Sequence, residues 1–175
     1  LQPTLSGAGD MLPAKFKDEA GYWYGTFYDP VVFLINQQYA RTVGQEKLRG
    51  WFDLESNNDN IRISVENLSN NNGTINFIGS FASHNGETTT LNFLLNIHRK
   101  IDQYAKFPFT PIRLAAVGDA DLAITRQSFV SQYLENNFPA YVIYPKEGTP
   151  INLFGVGVYK ECKNLSVATD FINWL

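Results

Sequence analysis

Apolar and polar residues alternate with a period of two along much of the chain, a pattern typical of half-buried β-strands. Ile61, Ile63 and Val65, for example, alternate with Arg62 and Ser64. Turn signals rich in Asn and Gly separate such segments at 56–59, 69–73 and 84–86. The predicted strands lie at 22–28, 48–54, 61–65, 74–81, 88–97, 112–117, 139–144 and 151–160. A spacing of about eight to twelve residues between strands predicts an antiparallel meander.

The remaining segments are assigned from their breakers and caps. Val31–Ile35 follows Asp29-Pro30 and is either the first strand continued after a kink or a separate buried piece. Residues 36–47 are predicted to be a loop. In 119–137, residues 129–134 fit a short helix and 122–124 fit a strand, and short apolar runs of this kind do not decide between the two. We therefore predict an extended N-terminal lead-in at 1–15 and a single domain at 16–175 that includes a C-terminal helix at 165–175, with Ser166 as its N-cap.

The composition of the chain excludes some classes of binding partner. The chain has 175 residues, 44% of them apolar and 18% charged, with a net charge of −3, so we expect no nucleic-acid partner. The longest apolar runs, such as Val31–Ile35, are far shorter than the roughly 20 residues of a transmembrane helix. The chain begins at Leu1, which indicates a processed product exported to the cell exterior, the periplasm or an organelle lumen. Cys162 has no second cysteine to pair with.

Three short motifs add a resemblance to a known family. The segment Phe16–Tyr24 contains Gly-x-Trp-Tyr at Gly21, Trp23 and Tyr24, Phe138–Tyr144 forms a late aromatic strand, and Val156–Lys160 precedes the terminal helix. In this order they resemble the lipocalin family, and bacterial and apolipoprotein-D-like members in particular. The resemblance implies an all-β fold: an eight-stranded antiparallel up-and-down barrel with a C-terminal α-helix. It also implies that Gly21, Trp23 and Lys160 close one end of the barrel.

The resemblance implies binding or carriage of a small hydrophobic molecule, such as a lipid, retinoid, carotenoid or bilin, in an apolar and aromatic cup. Gly25, Gly79, Gly155 and Gly157 stand among large aromatic residues and are expected to leave volume for it. No cofactor is assigned beyond a pigment or lipid held in this cup. The candidate ligand-binding residues, all on the expected inward parity, are Phe27, Ile63, Phe77, Phe93, Leu95, Tyr141 and Tyr159.

Two alternatives stay open. The first is a structural or interaction subunit whose barrel is filled by its own side chains and whose outer surface binds a protein partner. The second is a lipocalin-type enzyme acting on an isoprenoid or lipid. We assign no catalytic residue, so the pattern favours a binding protein over an enzyme. No metal site is expected, because His84 and His98 lack partners at metal-ligand spacing and Asp119 and Asp121 lack a calcium loop's ligand set.

Overall fold

The computed structural model describes residues 1–4, 6–44, 47–56, 60–67, 72–134 and 138–175. The strands are β1 (Tyr24–Asn36), β2 (Ile63–Glu66), β3 (Ile101–Ala105), β4 (Leu122–Arg126), β5 (Ala140–Ile143) and β6 (Ile151–Val156). The helices are α1 (Gly7–Asp10), α2 (Gln37–Val43), α3 (Asp53–Ser56), α4 (Asn72–Asn85), α5 (Glu87–His98), α6 (Phe109–Val117), α7 (Gln127–Leu134) and α8 (Leu165–Trp174). The fold is therefore mixed α/β.

The chain divides into two compact units. The central unit comprises Asp29–Ile151, and the terminal unit combines Leu1–Tyr28 with Asn152–Leu175. Strand β1 passes through both, because its first five residues belong to the terminal unit and the rest to the central unit. The expected division into a lead-in at 1–15 and one domain at 16–175 remains a prediction.

The central unit is built on an open sheet with the strand order β3-β2-β4-β1-β5. Strand β2 runs parallel to β3 and β4, whereas β1 runs antiparallel to β4 and β5. The register is set by pairs such as Phe33 with Ile124 and with Ile143. Because β1 has a partner on each side, its apolar run lies in the middle of the sheet.

Helices cover both faces of this sheet, which explains why Val31–Ile35 is continuously apolar. On one face, Phe33 and Ile35 pack in a core cluster that includes Trp51, Phe81 and Phe93. On the other face, Val32 and Leu34 pack against residues of α6 and α7, namely Ile112, Ala115 and Val130. Burying each large apolar side chain contributes about 1.5–3 kcal/mol, so the two layers of core supply most of the unit's stability.

The terminal unit has a smaller core of Tyr24, Val158 and Ile172. The Tyr24 hydroxyl donates to the carbonyl of Thr4 at 2.5 Å. Strand β6 pairs with β1, and the Phe27 and Phe154 rings stack with their centroids 4.4 Å apart. In this unit, long-range hydrogen bonds and ring stacking therefore supplement a limited apolar core.

The predicted all-β barrel is wrong. Residues expected to form strands at 74–81, 88–97 and 112–117 lie in the helices α4, α5 and α6. In α5 the buried residues Thr90, Phe93 and Ile97 recur at helical spacing, so this helix packs one stripe against the sheet. The sheet of the described residues ends at β3 and β5 and does not close, so there is no barrel cup.

The other local predictions are confirmed only in part. The first strand continues through Pro30, the short strand and helix in 119–137 are β4 and α7, and the terminal helix is α8. The N-cap of α8 is Asn164 rather than Ser166, because the Asn164 side chain accepts from the Val167 N–H at 3.4 Å. The predicted loop at 36–47 contains α2. The turns predicted at 56–59 and 69–73 fall largely outside the described residues.

Candidate functional site

Three neighbouring parallel strands end at one side of the central sheet. The last residue of β2, Glu66, pairs with Ala105, the last of β3, and the N–H of Asn67 donates to the Ala105 carbonyl at 2.7 Å. In open α/β sheets, ligands bind outside the carboxyl ends of the strands. We call this region the carboxyl edge and define it by the residues that follow or end these strands: Asn67, Lys106, Arg126, Gln127 and Ser128.

A buried carboxylate orders the carboxyl edge. Asp29 is only 4% exposed, and it lies just before the part of β1 where Val31 pairs with Arg126. Its two oxygens accept the N–H of Ser128 at 2.9 Å and the hydroxyl of Ser128 at 2.6 Å. Because Ser128 lies in the first turn of α7, Asp29 satisfies a helix N–H that would otherwise lack a partner. The beginning of α7 is thereby held against β1.

Arg126, the last residue of β4, is the half-buried cation of this edge. The central carbon of its guanidinium lies 4.2 Å from the ring centroid of Phe129. The Phe129 ring is itself held by an edge-on contact with Phe109, with centroids 4.9 Å apart. These contacts restrict the long Arg126 side chain without using its N–H donors.

Asp119 and Asp121 lie at the opposite, amino side of the sheet, where their region has a structural role. Arg62 donates to Asp121 at 2.8 and 3.3 Å and to the carbonyls of Asp119 and Gly118 at 2.7 and 2.9 Å. The hydrogen bond with Asp121 raises the pKa of the Arg62 guanidinium, an effect that burial partly opposes. This network fastens the turn after α6 to the beginning of β2.

The residues predicted to bind a hydrophobic ligand do not form one site. In the central unit, Ile63 and Phe93 are buried in the core with Phe77 packed against them, Leu95 is exposed on α5, and the Tyr141 hydroxyl accepts from the Gln37 amide at 2.7 Å. In the terminal unit, Phe27 and Tyr159 are 59% and 64% exposed. The first group is mainly core, and both members of the second are exposed residues of the terminal unit.

The predicted barrel-closure residues lie in the terminal unit. Gly21 has a φ of +77°, which favours glycine, and a Cβ there would lie 2.9 Å from the Thr4 carbonyl oxygen. Trp23 is half-buried and lines an open groove with Leu153 and Gly155. Lys160 is exposed, and none of the cation–π contacts found among the described residues joins it to Trp23.

The glycines expected to leave open volume mostly serve close packing. A Cβ on Gly25 would meet the Phe16 carbonyl oxygen at 2.9 Å, and one on Gly157 would meet the Tyr22 carbonyl oxygen at 2.5 Å. A Cβ on Gly155 would lie 3.2 Å from the Tyr24 carbonyl oxygen. These positions let backbone segments of the terminal unit approach one another.

Sequence reasoning missed Asp29 and Arg126. Asp29 precedes a proline, a pair that predicts a break in the strand, and Arg126 stands between a strand-like and a helix-like segment. A usable signal was present, because Leu122–Ile124 is followed by polar residues and then by Phe129, Val130 and Tyr133 at helical spacing. A strand–polar turn–helix sequence of this kind is where α/β proteins place ligand contacts.

The part of the chain that the structure describes offers neither a cluster of metal ligands nor a membrane-spanning helix. No three His, Cys, Asp or Glu side chains there come together in an arrangement suited to a metal ion. None of the helices in that part of the chain is long and apolar enough to cross a membrane.

A sequence model of the bacterial extracellular solute-binding protein family matches residues 2–175. The chain belongs to this family. The lipocalin resemblance is therefore wrong, because it rested on short aromatic motifs, whereas the solute-binding family match covers almost the whole chain. Members of this family are extracellular, so the expected export of the chain is confirmed.

Relatives of known sequence support the same assignment. The chain is 25% identical over 182 residues to an uncharacterized protein of Haemophilus influenzae, covering 99% of this chain and 52% of the relative. It is also 25% identical over 179 residues to iron uptake protein A1 of Synechocystis, covering 94% of this chain and 48% of that protein. The chain thus spans about half the length of the curated relatives it matches.

Solved structures show the same fold. The periplasmic binding protein AfuA from Actinobacillus pleuropneumoniae, with fructose-6-phosphate bound, is 26% identical with a TM-score of 0.74, over 99% of this chain and 56% of that one. Ferric iron-binding protein A of Mannheimia haemolytica, in an open conformation, is 19% identical with a TM-score of 0.82, over 99% and 57%. The first of these proteins has fructose 6-phosphate bound and the second is a ferric iron-binding protein, so both are associated with hydrophilic solutes. The expected carriage of a lipid, retinoid, carotenoid or bilin is wrong, since neither the family nor the open sheet supports an apolar cup.

Proposed function

We propose that this protein captures a small polar solute outside the cytoplasm for uptake, and that the carboxyl edge of the central unit is its solute-contacting surface. The observation that carries the proposal is the juxtaposition of the ends of β2, β3 and β4, which brings Asn67, Lys106 and Arg126 to one side of the sheet. The contacts of Asp29 with Ser128 order the adjoining helix before any solute binds.

The relatives suggest which solutes to test. They include an iron uptake protein, a ferric iron-binding protein and a protein with fructose 6-phosphate bound, and all of these solutes are hydrophilic. We infer the periplasm as the compartment, because AfuA is described as a periplasmic binding protein. Cell fractionation with antibodies against the protein tests this location, and recovery only in the culture medium would contradict it.

The decisive experiment is isothermal titration calorimetry of the purified full chain with ferric citrate, fructose 6-phosphate, fructose and citrate. We expect saturable binding of at least one of them. Lys106→Glu reverses an exposed charge at the carboxyl edge and should weaken that binding, while Lys163→Glu, an exposed position of the terminal unit, should not. Equal losses in both variants, or no binding by the unmodified chain, would contradict the proposed function.

A further inference from the structure

Arg126 is a half-buried cation without an ionic partner in the described part of the chain. The ion pairs found there join Arg62 to Asp121 and Lys146 to Asp53 and Glu147. The buried carboxylate of the carboxyl edge, Asp29, directs both oxygens to Ser128 and forms no ion pair with Arg126. Among the described residues, no carboxylate therefore lies within ion-pair distance of the Arg126 guanidinium.

The contrast with Arg62 shows what a structural arginine does in this fold. Arg62 directs its side-chain donors to Asp121 and to two backbone carbonyls. For the Arg126 side chain, only the contact with the Phe129 ring is found among the described residues. A partly buried guanidinium with unused donors costs desolvation energy that an anionic partner would offset.

The ring contact also suits Arg126 to recognition. A planar guanidinium offers N–H donors in a fixed fork that matches a phosphate or carboxylate group in two parallel hydrogen bonds. Because Phe109 fixes Phe129 and Phe129 restricts Arg126, less side-chain freedom is lost when the guanidinium binds. The arginine is thus partly ordered in advance at the end of β4.

Building on the proposed function, we propose that the solute carries an oxyanion group, a phosphate or a carboxylate, and that Arg126 binds it. Lys106 follows β3, which is separated from β4 by β2, and adds a second positive charge to the same edge. Arg126 therefore determines specificity by discriminating between charged and uncharged forms of otherwise similar solutes.

Calorimetry on the full chain tests this assignment with fructose 6-phosphate, fructose, inorganic phosphate, citrate and ferric citrate as probes. We expect an anionic probe to bind and fructose to bind at least tenfold more weakly. Arg126→Gln should weaken anion binding about 10- to 100-fold, the loss typical of a charge-assisted hydrogen-bonded pair. Arg126→Lys should recover part of the affinity, because it keeps the charge but not the fork.

The matched control is Arg113→Gln, which removes the same charge from an exposed position of α6 and should leave the affinity unchanged. Circular dichroism melts of all three variants check that each is folded. Unchanged affinity in Arg126→Gln, or equal affinity for fructose and fructose 6-phosphate, overturns the role of Arg126 but leaves solute binding intact. Absence of binding to every probe by the unmodified chain counts against both proposals.

Discussion

The Asp29 carboxylate accepts two hydrogen bonds from one residue, the N–H and the hydroxyl of Ser128, at 2.9 and 2.6 Å. Asp29 lies in the central unit where β1 enters it, and Ser128 lies in the first turn of α7. The two residues are 99 positions apart in the chain, so their hydrogen bonds join elements that are distant in sequence. Hydrogen bonds to a buried charged group are stronger than those between neutral groups.

We expect Asp29→Ala to lower the free energy of unfolding by about 2–3 kcal/mol, because it leaves two donors of Ser128 without their acceptor. Ser128→Ala should cost less, since the backbone N–H keeps its bond to Asp29. Urea denaturation followed by circular dichroism measures both, together with the double variant. A double-mutant cycle should give a coupling energy of about 1–2 kcal/mol. Strictly additive effects would show that the two residues do not interact in solution.

A pH-dependent contribution is expected from Asp53. Burial raises the pKa of this carboxyl group, but hydrogen bonds from the Lys146 ammonium at 3.0 Å and the Arg49 N–H at 2.9 Å outweigh burial and leave the pKa below its ordinary value. An acid whose pKa is lowered by folding stabilises the protein above its unfolded pKa, near 4, and loses this contribution as the pH falls through its folded pKa.

Asp53→Asn should therefore lower the free energy of unfolding by about 0.5–1 kcal/mol at pH 7 and by much less at pH 2.5. Urea titrations at the two pH values measure the difference. Asp170→Asn, at an exposed position of α8, serves as the control and should have little effect at either pH. A destabilisation by Asp53→Asn that is as large at pH 2.5 as at pH 7 would rule out this charge-dependent account.

Trp51 is the main aromatic residue of the central core. It is 1% exposed, its ring contacts Phe33 edge-on at 4.7 Å, and its indole N–H donates to the Gly148 carbonyl at 3.0 Å. Trp51→Ala should lower the free energy of unfolding by about 3–5 kcal/mol, because it leaves a large cavity and an unpaired carbonyl. Trp23→Ala, at a half-buried position, should cost about 1 kcal/mol. Equal losses in denaturant titrations would contradict this ranking.

Two glycines of α1 make a matched pair. A Cβ on Gly9 would lie 2.1 Å from a ring carbon of buried Tyr24, whereas a Cβ on Gly7 would have nothing within 4 Å. Gly9→Ala should destabilise the terminal unit by about 1–3 kcal/mol through overpacking. Gly7→Ala should leave its stability unchanged or raise it by up to about 1 kcal/mol. Calorimetric melting of both variants tests the difference, and equal melting temperatures would show that the Tyr24 ring moves aside freely.

Local apolar runs in the sequence predicted the central strands of the sheet correctly, whereas they did not predict the helices α4, α5 and α6 that cover it. Val31–Ile35 is continuously apolar because both faces of the sheet are covered, and β4, α7 and α8 follow from equally local signals. In α5, by contrast, Leu91 and Leu95 are 59% and 57% exposed, yet they completed an alternating pattern with Phe93 and Ile97 that suggested a strand. Exposed leucines thus obscured the helical period of the buried residues.

The candidate site could not be predicted from the alternation of apolar and polar residues alone. A period of two is the same in parallel and antiparallel strands, so it could not show that β2, β3 and β4 end on one side. Asn67 and Arg126 are distant in sequence, and the parallel pairing of β2 with β4 places them at the same side of the sheet. The candidate residues chosen by inward parity in a barrel therefore fell in the core or on the surface, while the polar strand ends were overlooked.

The burial of the three tryptophans has an optical consequence. Trp51, enclosed in the central unit, should emit at short wavelength and be shielded from iodide, whereas Trp174 of the terminal unit is 79% exposed and should emit at long wavelength and be quenched. Trp23, also in the terminal unit, is half-buried and should lie between these extremes. The unmodified protein thus carries tryptophans with different emission wavelengths in its two units. The unfolding of each unit can therefore be followed separately in one sample.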